Sequence, residues 1–356
     1  MTESSDVRAA MPAVKGPWRD SLGTASIRSA QVLLLLVLGV KMSSRVNLVI
    51  VTLKVAIVLF VIFMGLRFVD AKNYVPFIPE AVEGQVTATG GDAPLIQVIF
   101  GLTPVTYGLF GVFTAAALVF FAYIGFDVVA TAAEETKNPQ RDLPRGIIGS
   151  LAICTALYVA VSLVVVGMVH YTKMDTKAPL ASAFDAVGHP GYAQIISIGG
   201  LAGLTTVVMI LLLGQARVLF AMSRDNLLPL GFARVHPKYG TPSRIQITVG
   251  VFTAVLAGFI DLEELGEMVN IGTLFAFVMV SISVIILRRT RPDLPRKFRT
   301  PLVPYVPIAA ALASFYLMLN LPLETWYRFA IWMAIGFGVY FLYSRSHSKL
   351  ASRTDS

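Results

Sequence analysis

The 356-residue chain is too apolar for a water-soluble protein: its residues are 56% hydrophobic and 14% charged, with a mean hydropathy of +0.72. A soluble domain needs roughly 25% charged residues to cover its surface, so a soluble enzyme or binding domain is excluded. Because a membrane-spanning helix takes about 20 residues, this length indicates one membrane domain of about eight to twelve helices. The net charge of +8 has to be explained by where the basic residues lie.

The first 40 residues differ from the rest of the chain. Residues 1–29 mix Asp, Arg, Pro and Gly, carry no clean signal peptide, and are predicted to be disordered or atypical. The apolar stretch 30–40 has only about half of the roughly 20 residues that a bilayer requires. We interpret it as the end of a truncated helix or as a segment lying at the interface. The predicted membrane domain is therefore 30–350, followed by a cytoplasmic tail, 351–356.

Eight longer apolar stretches are predicted to be transmembrane helices, since lipid offers no partners for unpaired backbone groups. They cover residues 48–69, 109–133, 147–169, 195–213, 245–260, 268–287, 303–321 and 329–343. The fifth and the last are short for full spans, although aromatic residues beside the last can sit at the interface.

Basic-rich loops alternate with basic-poor loops along these spans. The turn at 261–267 has four acidic residues and no basic one, whereas the next loop, 288–299, has six basic residues. The contrast is milder in the first half of the chain. The positive-inside rule places the basic loops and the C-terminus in the cytoplasm. This explains most of the positive charge without a nucleic-acid partner, and predicts a multi-pass protein of the plasma (inner) membrane.

The second predicted span contains Gly125 and Asp127 within an otherwise apolar run. A carboxylate at membrane depth costs about 2.5–3.5 kcal/mol on insertion scales, so it normally faces a cavity or a partner. Glycine beside it lowers helix propensity. One interpretation is a discontinuous helix that binds an ion or a zwitterion at its free backbone groups, with Asp127 capping the second half-helix. The other is an unbroken helix with a buried, hydrogen-bonded Asp127.

Lys54 lies six residues into the first predicted span, roughly 9 Å deep at about 1.5 Å per residue. Its side chain is long enough to reach the cytoplasmic interface, and the residues alone favour this snorkelling interpretation. The functional interpretation is a lysine held away from water, which exchanges a proton near neutral pH because desolvation disfavours the charged form.

Small and hydroxyl residues mark the fourth predicted span. Gly199 and Gly203 form a GxxxG pair, which favours close helix packing. Thr206 falls on the same face, and it or Thr205 is a candidate ion ligand or lysine partner. The following stretch, 214–229, is amphipathic and predicts an interfacial helix on the inner leaflet.

Titratable clusters are otherwise scarce. The only cysteine, Cys154, lies in an apolar run, and the four histidines lie outside the apolar runs. No Cys/His spacing indicates a metal site, and we expect no metal or cofactor. A membrane enzyme needs several titratable groups at membrane depth, but only Lys54 and Asp127 qualify, so we expect no enzyme.

Several ordered motifs together resemble the amino acid–polyamine–organocation (APC) superfamily, and most closely its cationic amino acid transporter branch. The resemblance runs from about residue 39 to 350. The motifs are GVKMSSRVN (39–47), NYVPFIP (73–79), FFAYIGFD (120–127), EETKNPQRDLP (134–144), QAR through SRD (215–225) and NIGTLFAF (270–277).

The resemblance implies an all-α LeuT-type bundle of two inverted five-helix repeats and two extra helices. The predicted spans correspond to the fifth to twelfth helices. It implies that the backbone carbonyls of Phe121, Ala122 and Ile124 hold the amino group of an amino acid, with Phe126 closing over it beside Gly125. It also implies that Lys54 stands where sodium-coupled relatives hold a sodium ion, which favours the proton-coupling interpretation.

This chain departs from the family pattern at its N-terminus. Nothing in residues 1–38 resembles the family's glycine-rich first helix, so we expect a bundle that lacks the first three to four helices. Two functions follow. The leading hypothesis is proton-coupled import of an amino acid, and the alternative is a non-transporting permease fragment or a membrane protein that depends on a partner.

Overall fold

The computed structural model describes residues 44–82, 91–105, 107–126, 138–175, 178–229, 243–260, 262–296 and 298–348, with single residues at 129, 136 and 231. The predicted N-terminal segment 1–29, the apolar stretch 30–40 and the tail 351–356 lie outside these residues. The described residues are helical and contain no β-strand, only one isolated bridge between Pro94 and Pro322.

The helices are named α1 to α10 in chain order. Their bounds are α1 Ser44–Gly65, α2 Leu95–Ile99, α3 Gly108–Val119, α4 Pro139–Met168, α5 Pro179–Ala186, α6 Pro190–Arg224, α7 Ser243–Phe259, α8 Leu262–Thr290, α9 Tyr305–Leu319 and α10 Leu323–Val339. A π-helical turn, Tyr340–Ser344, extends α10 to a final short turn, Arg345–His347.

A helix coincides with each of the eight predicted spans, although the second is described continuously only to Phe126. The helices α1, α4, α6 and α8 each contain a stretch that is long and apolar enough to cross a membrane. Shorter apolar helices occupy the spans of α3, α7 and α9. The all-α membrane architecture is therefore confirmed. The short helices α2 and α5 lie in loops between spans and were not predicted.

The first packing group joins α1, α4, α5 and α6. Its buried residues include Val61 of α1, Val165 of α4 and Phe184 of α5. Glycine allows close approach at two points: a Cβ at Gly65 would overlap Val164 of α4, and one at Gly199 would overlap the Cδ1 of Ile57. The GxxxG face predicted on α6 is therefore a packing face against α1.

The second packing group joins α3, α8 and α9. Its core consists of five apolar side chains that are at most 1% exposed: Ala117, Ile271, Leu274, Met318 and Leu321. Partly buried Trp326 and Phe329 add α10 to this core. The helix α3, which precedes the predicted break, is thus held mainly by α8 and α9.

An ionic cluster joins the start of α8 to the start of α10. The Arg328 guanidinium lies 3.3 Å from Glu264, 4.0 Å from Glu267 and 3.0 Å from Glu324. The hydroxyl of Thr325, a fully buried residue, donates a 2.6 Å hydrogen bond to Glu267. These contacts join the N-terminal turns of α8 and α10. The helix α8 is therefore held by apolar packing along its length and by ion pairs at its N-terminus.

Loops predicted on the same side of the membrane contact each other. The Asn73 amide donates to the carbonyl of Gly167 at 2.7 Å, and the N–H of Leu323 donates to the carbonyl of Ala93 at 3.0 Å. Each contact joins a loop to a helix end that is predicted on the same, outer side. At the opposite ends, the Ser344 hydroxyl donates to the carbonyl of Leu227 at 2.7 Å. These contacts agree with the predicted alternation of basic-rich and basic-poor loops between the two sides of the membrane. Which side faces the cytoplasm stays a prediction.

The predicted interfacial helix at 214–229 is wrong in its boundaries. The helix α6 runs without interruption to Arg224, so residues 214–224 continue the span instead of turning onto the membrane surface. Gly214 and Ala216 are buried, and Ala216 packs with Ile245 and Val249 of α7. Gly214 and Ala216 therefore contribute to the packing of a continuous α6 against its neighbours.

Replacing Gly199 by Leu is expected to lower the melting temperature, because a side chain there overlaps Ile57 and overpacking costs typically about 1–3 kcal/mol. The matched control is Gly200→Leu, where an added Cβ meets nothing within 4 Å. Leucine has a higher helix propensity than glycine, so this control should melt at or above the wild-type temperature. Thermal unfolding of both purified variants in detergent is the measurement, and equal melting temperatures would contradict the packing role.

Candidate functional site

The break predicted near Gly125 begins where α3 ends at Val119. Residues Phe120–Tyr123 form a 3₁₀ turn, and Ile124 is extended with φ −65° and ψ 134°. Gly125 has φ +123°, a conformation that side-chain-bearing residues rarely adopt. The helix is therefore interrupted at this position. Asp127, the predicted cap of the second half-helix, lies outside the described residues.

Two of the three carbonyls implied as ligands of an amino group already accept hydrogen bonds. The carbonyl of Phe121 accepts from the N–H of Ile124 at 3.1 Å. The carbonyl of Ala122 accepts from the hydroxyl of Tyr158 on α4 at 2.9 Å. A carbonyl oxygen has two lone pairs, so each retains the capacity for one further donor.

The side of the break that faces α4 is open in the described structure. The Phe121 side chain is 49% exposed and Tyr158 is 39% exposed. The Tyr158 ring meets the ring of Tyr123 edge-on, with centroids 5.4 Å apart.

The other side of the break is closed by α8. The Asn270 amide donates to the carbonyls of Ala117 at 3.2 Å and Leu118 at 3.0 Å. The Phe277 ring contacts the rings of Phe120 and Phe126, with centroids 5.9 Å and 5.4 Å apart. The aromatic residue implied to close over a substrate, Phe126, thus lies against α8.

Lys54 and the predicted hydroxyl partners lie on helices that pack together. The Cε of Lys54 is 3.6 Å from the position that a Cβ on Gly203 would take, and Lys54 is partly buried. The hydroxyls of Thr205 and Thr206 donate to carbonyls of their own helix, at 2.9 Å and 2.8 Å. Their oxygen lone pairs remain available to an external donor.

Three residues at the break were not singled out from the sequence: Tyr158, Asn270 and Phe277. Asn270 carried a usable signal, because it is an amide near the start of an apolar run, and polar groups at membrane depth usually have a partner. Asn270 and Phe277 are also the first and last residues of the motif NIGTLFAF. Tyr158 carried no signal, since one tyrosine in a span is common.

The chain is similar to several transporters. It is 46% identical over 312 residues to a methylthioribose transporter of Bacillus subtilis, an alignment that covers 88% of this chain and 62% of that protein. It is 44% identical over 343 residues to the branched-chain amino acid permease BcaP of the same organism, covering 96% and 68%. It is 38% identical over 262 residues to the vacuolar cationic amino acid transporter 4 of Arabidopsis thaliana, covering 74% and 40%.

The chain thus spans about two thirds of the length of the bacterial relatives and less than half of the plant relative. A family model described as amino acid permease matches residues 16–340. This match begins within the segment 1–29 and takes in nearly all of the described helices. The resemblance inferred from the motifs is confirmed: the chain is an integral membrane protein that belongs to the amino acid permease family of the APC superfamily.

Proposed function

We propose that this protein is a secondary active transporter that imports an amino acid together with protons. The observation that carries the proposal is the interruption of α3, which turns backbone carbonyls at 121–124 away from regular helical pairing. An ammonium group has three N–H donors, and carbonyl oxygens in a water-poor site bind it more strongly than they do in water. Family membership supports the same function.

Phe121, Ala122 and Ile124 are the proposed ligands of the substrate amino group. Gly125 permits the turn because it has no Cβ at φ +123°. Phe126 is proposed to cover the bound substrate, and Asp127 is proposed to cap the half-helix that follows. The free N–H groups of such a half-helix suit an anionic group, as in other transporters with broken helices.

Lys54 is proposed to carry the coupled proton. Its Cε lies against Gly203 inside the bundle, where the side chain is partly removed from water. Desolvation disfavours the charged ammonium, so a lysine here can release and regain a proton during the transport cycle. Thr206, three residues from Gly203, is the proposed acceptor for the ammonium, with Thr205 as the second candidate.

The proposed substrate is an amino acid, and an uptake assay would identify which one. The relatives are described as transporters of methylthioribose, branched-chain amino acids and cationic amino acids. We therefore propose an assay with a labelled amino-acid mixture, with methylthioribose as a competitor. The protein is proposed to lie in the plasma (inner) membrane with its C-terminus in the cytoplasm.

A second candidate function is a partner-dependent membrane protein that does not transport alone. The open side of the break favours it, because Phe121 and Tyr158 are exposed where a transporter has to enclose its substrate. The discriminating experiment reconstitutes the 356-residue chain into liposomes and measures uptake under an inward proton gradient. Uptake supports the transporter, and its absence from protein shown to be folded supports the partner-dependent protein.

Replacing Lys54 by Ala is expected to reduce gradient-driven uptake to the level of protein-free liposomes, because no group remains to carry the proton. The control is Lys173→Ala, which removes an exposed lysine from the loop after α4 and should leave uptake as in the wild type. Labelled uptake with and without the proton gradient is the measurement. If Lys54→Ala kept gradient-dependent uptake, the lysine would not be the coupling group.

Replacing Tyr158 by Phe is expected to raise KM about two- to tenfold with little change in Vmax, since one hydrogen bond contributes about 0.5–1.5 kcal/mol. The variant keeps the ring but removes the hydroxyl that orients the Ala122 carbonyl. Concentration-dependent uptake gives both constants. Tyr327→Phe, at a 62% exposed position on α10, is the control. A KM that stays the same or falls would show that the hydroxyl does not assist substrate binding.

A further inference from the structure

We propose that Asn270 and Phe277 of α8 are positioning residues that hold the interrupted end of α3 in the shape that binds substrate. This inference rests on the proposed function. Neither side chain has to touch the substrate, because both act on the backbone and rings that surround the break. The two residues are seven positions apart, close to two helical turns, and therefore lie on one face of α8.

The hydrogen bonds of Asn270 add a side-chain donor to the last carbonyls of α3. The last carbonyls of a helix have no regular partner four residues ahead. The helix α3 ends at Val119, and the carbonyls of Ala117 and Leu118 belong to its last turn. One side-chain amide from α8 donates to both of them. Because the amide group has two N–H donors, one residue can serve two carbonyls.

The ring of Phe277 braces the segment that follows. It meets Phe120 at an interplanar angle of 79° and Phe126 at 31°. Phe120 begins the 3₁₀ turn, and Phe126 follows the glycine that turns the chain. The Phe277 ring thus contacts the first and the last residue of the segment 120–126, in which the helix is interrupted. Aromatic pairs of this kind contribute about 0.5–1.5 kcal/mol each beyond their buried area.

The helix α8 is a firm support for these contacts. Between Asn270 and Phe277, Leu274 is 1% exposed and packs in the same core as Ala117. The start of α8 is held by the ionic cluster at Arg328. A displacement of the break relative to α8 therefore has to disturb a packed core as well as two hydrogen bonds.

The chemistry of Asn270 favours a positioning role over a purely stabilising one. The residue is 1% exposed, and its Oδ1 has no hydrogen-bond partner in the described structure. A buried polar atom without a partner costs about 1–3 kcal/mol, which offsets much of what the two hydrogen bonds of Asn270 contribute to stability. The two carbonyls also fix the orientation of the amide, because a reversed amide would place Oδ1 against them.

The experiment uses Asn270→Leu and Asn270→Asp in the full chain, reconstituted in lipid. Hydrogen–deuterium exchange of the peptide containing residues 120–126 reports on the break, and concentration-dependent uptake gives KM and Vmax. In Asn270→Leu we expect about tenfold faster exchange at the break, about tenfold higher KM and a lower melting temperature, because two buried carbonyls lose their donor from α8. Asn270→Asp, which keeps the shape, should give intermediate effects because a neutral carboxyl can donate to one carbonyl.

Matched controls separate positioning from general packing. Asn320 is a second buried asparagine, also with a partnerless Oδ1 in the described structure, but its amide donates to Tyr316 of its own helix. Asn320→Leu should leave exchange at 120–126 as in the wild type. Phe277→Leu should speed this exchange, whereas Phe275→Leu should not, because the Phe275 ring packs on Phe329 of α10.

The outcomes distinguish the two proposals. If the wild type shows no uptake, the proposed function fails, and the exchange rates alone decide whether Asn270 and Phe277 shape the break. If the wild type transports and both Asn270 variants match it in exchange and KM, the positioning role is overturned. Faster exchange with an unchanged KM also overturns it, because the shape of the break would then not affect substrate binding.

Discussion

Every backbone polar group at membrane depth has to find a hydrogen-bond partner inside the protein. The interruption of α3 leaves several of these groups without regular helical partners. A continuous helix satisfies it with its own residues. Between Val119 and Phe126 the regular pattern stops, and other helices supply the missing donors. Tyr158 of α4 donates to Ala122 from one side, and Asn270 of α8 donates to the preceding turn from the other. Two helices, α4 and α8, therefore satisfy backbone groups at and before the break.

The two donors come from different packing groups. Tyr158 belongs to α4, which packs with α1, α5 and α6, whereas Asn270 belongs to α8, which packs with α3 and α9. The break therefore lies where the two groups meet. The hydrogen bond from Tyr158 to the Ala122 carbonyl joins the two groups, so a movement of one group relative to the other would change it. If the proposed substrate site is correct, substrate binding and helix movement act on the same few residues.

The sequence predicted what depends on local composition. The spans were predictable because lipid admits only long apolar helices. Gly125 and Asp127 left two interpretations open, a broken helix and an unbroken one with a buried Asp127, and the structure shows the break at Gly125. The contacts of Tyr158 and Asn270 were not predictable, since they join residues more than 30 positions apart. The interfacial helix at 214–229 was wrong because an amphipathic pattern does not tell a turn onto the membrane surface from a helix that continues past it.

Lys54 shows how tertiary contact joins two sequence features that were considered separately. Gly203 was interpreted as a packing residue, and Lys54 as either a snorkelling or a coupling lysine. The Cε of Lys54 lies 3.6 Å from the position of a Cβ on Gly203. Gly203 lies ten residues before the end of the predicted fourth span, about 15 Å at 1.5 Å per residue. The absence of a side chain at Gly203 therefore leaves space for the Lys54 side chain between α1 and α6.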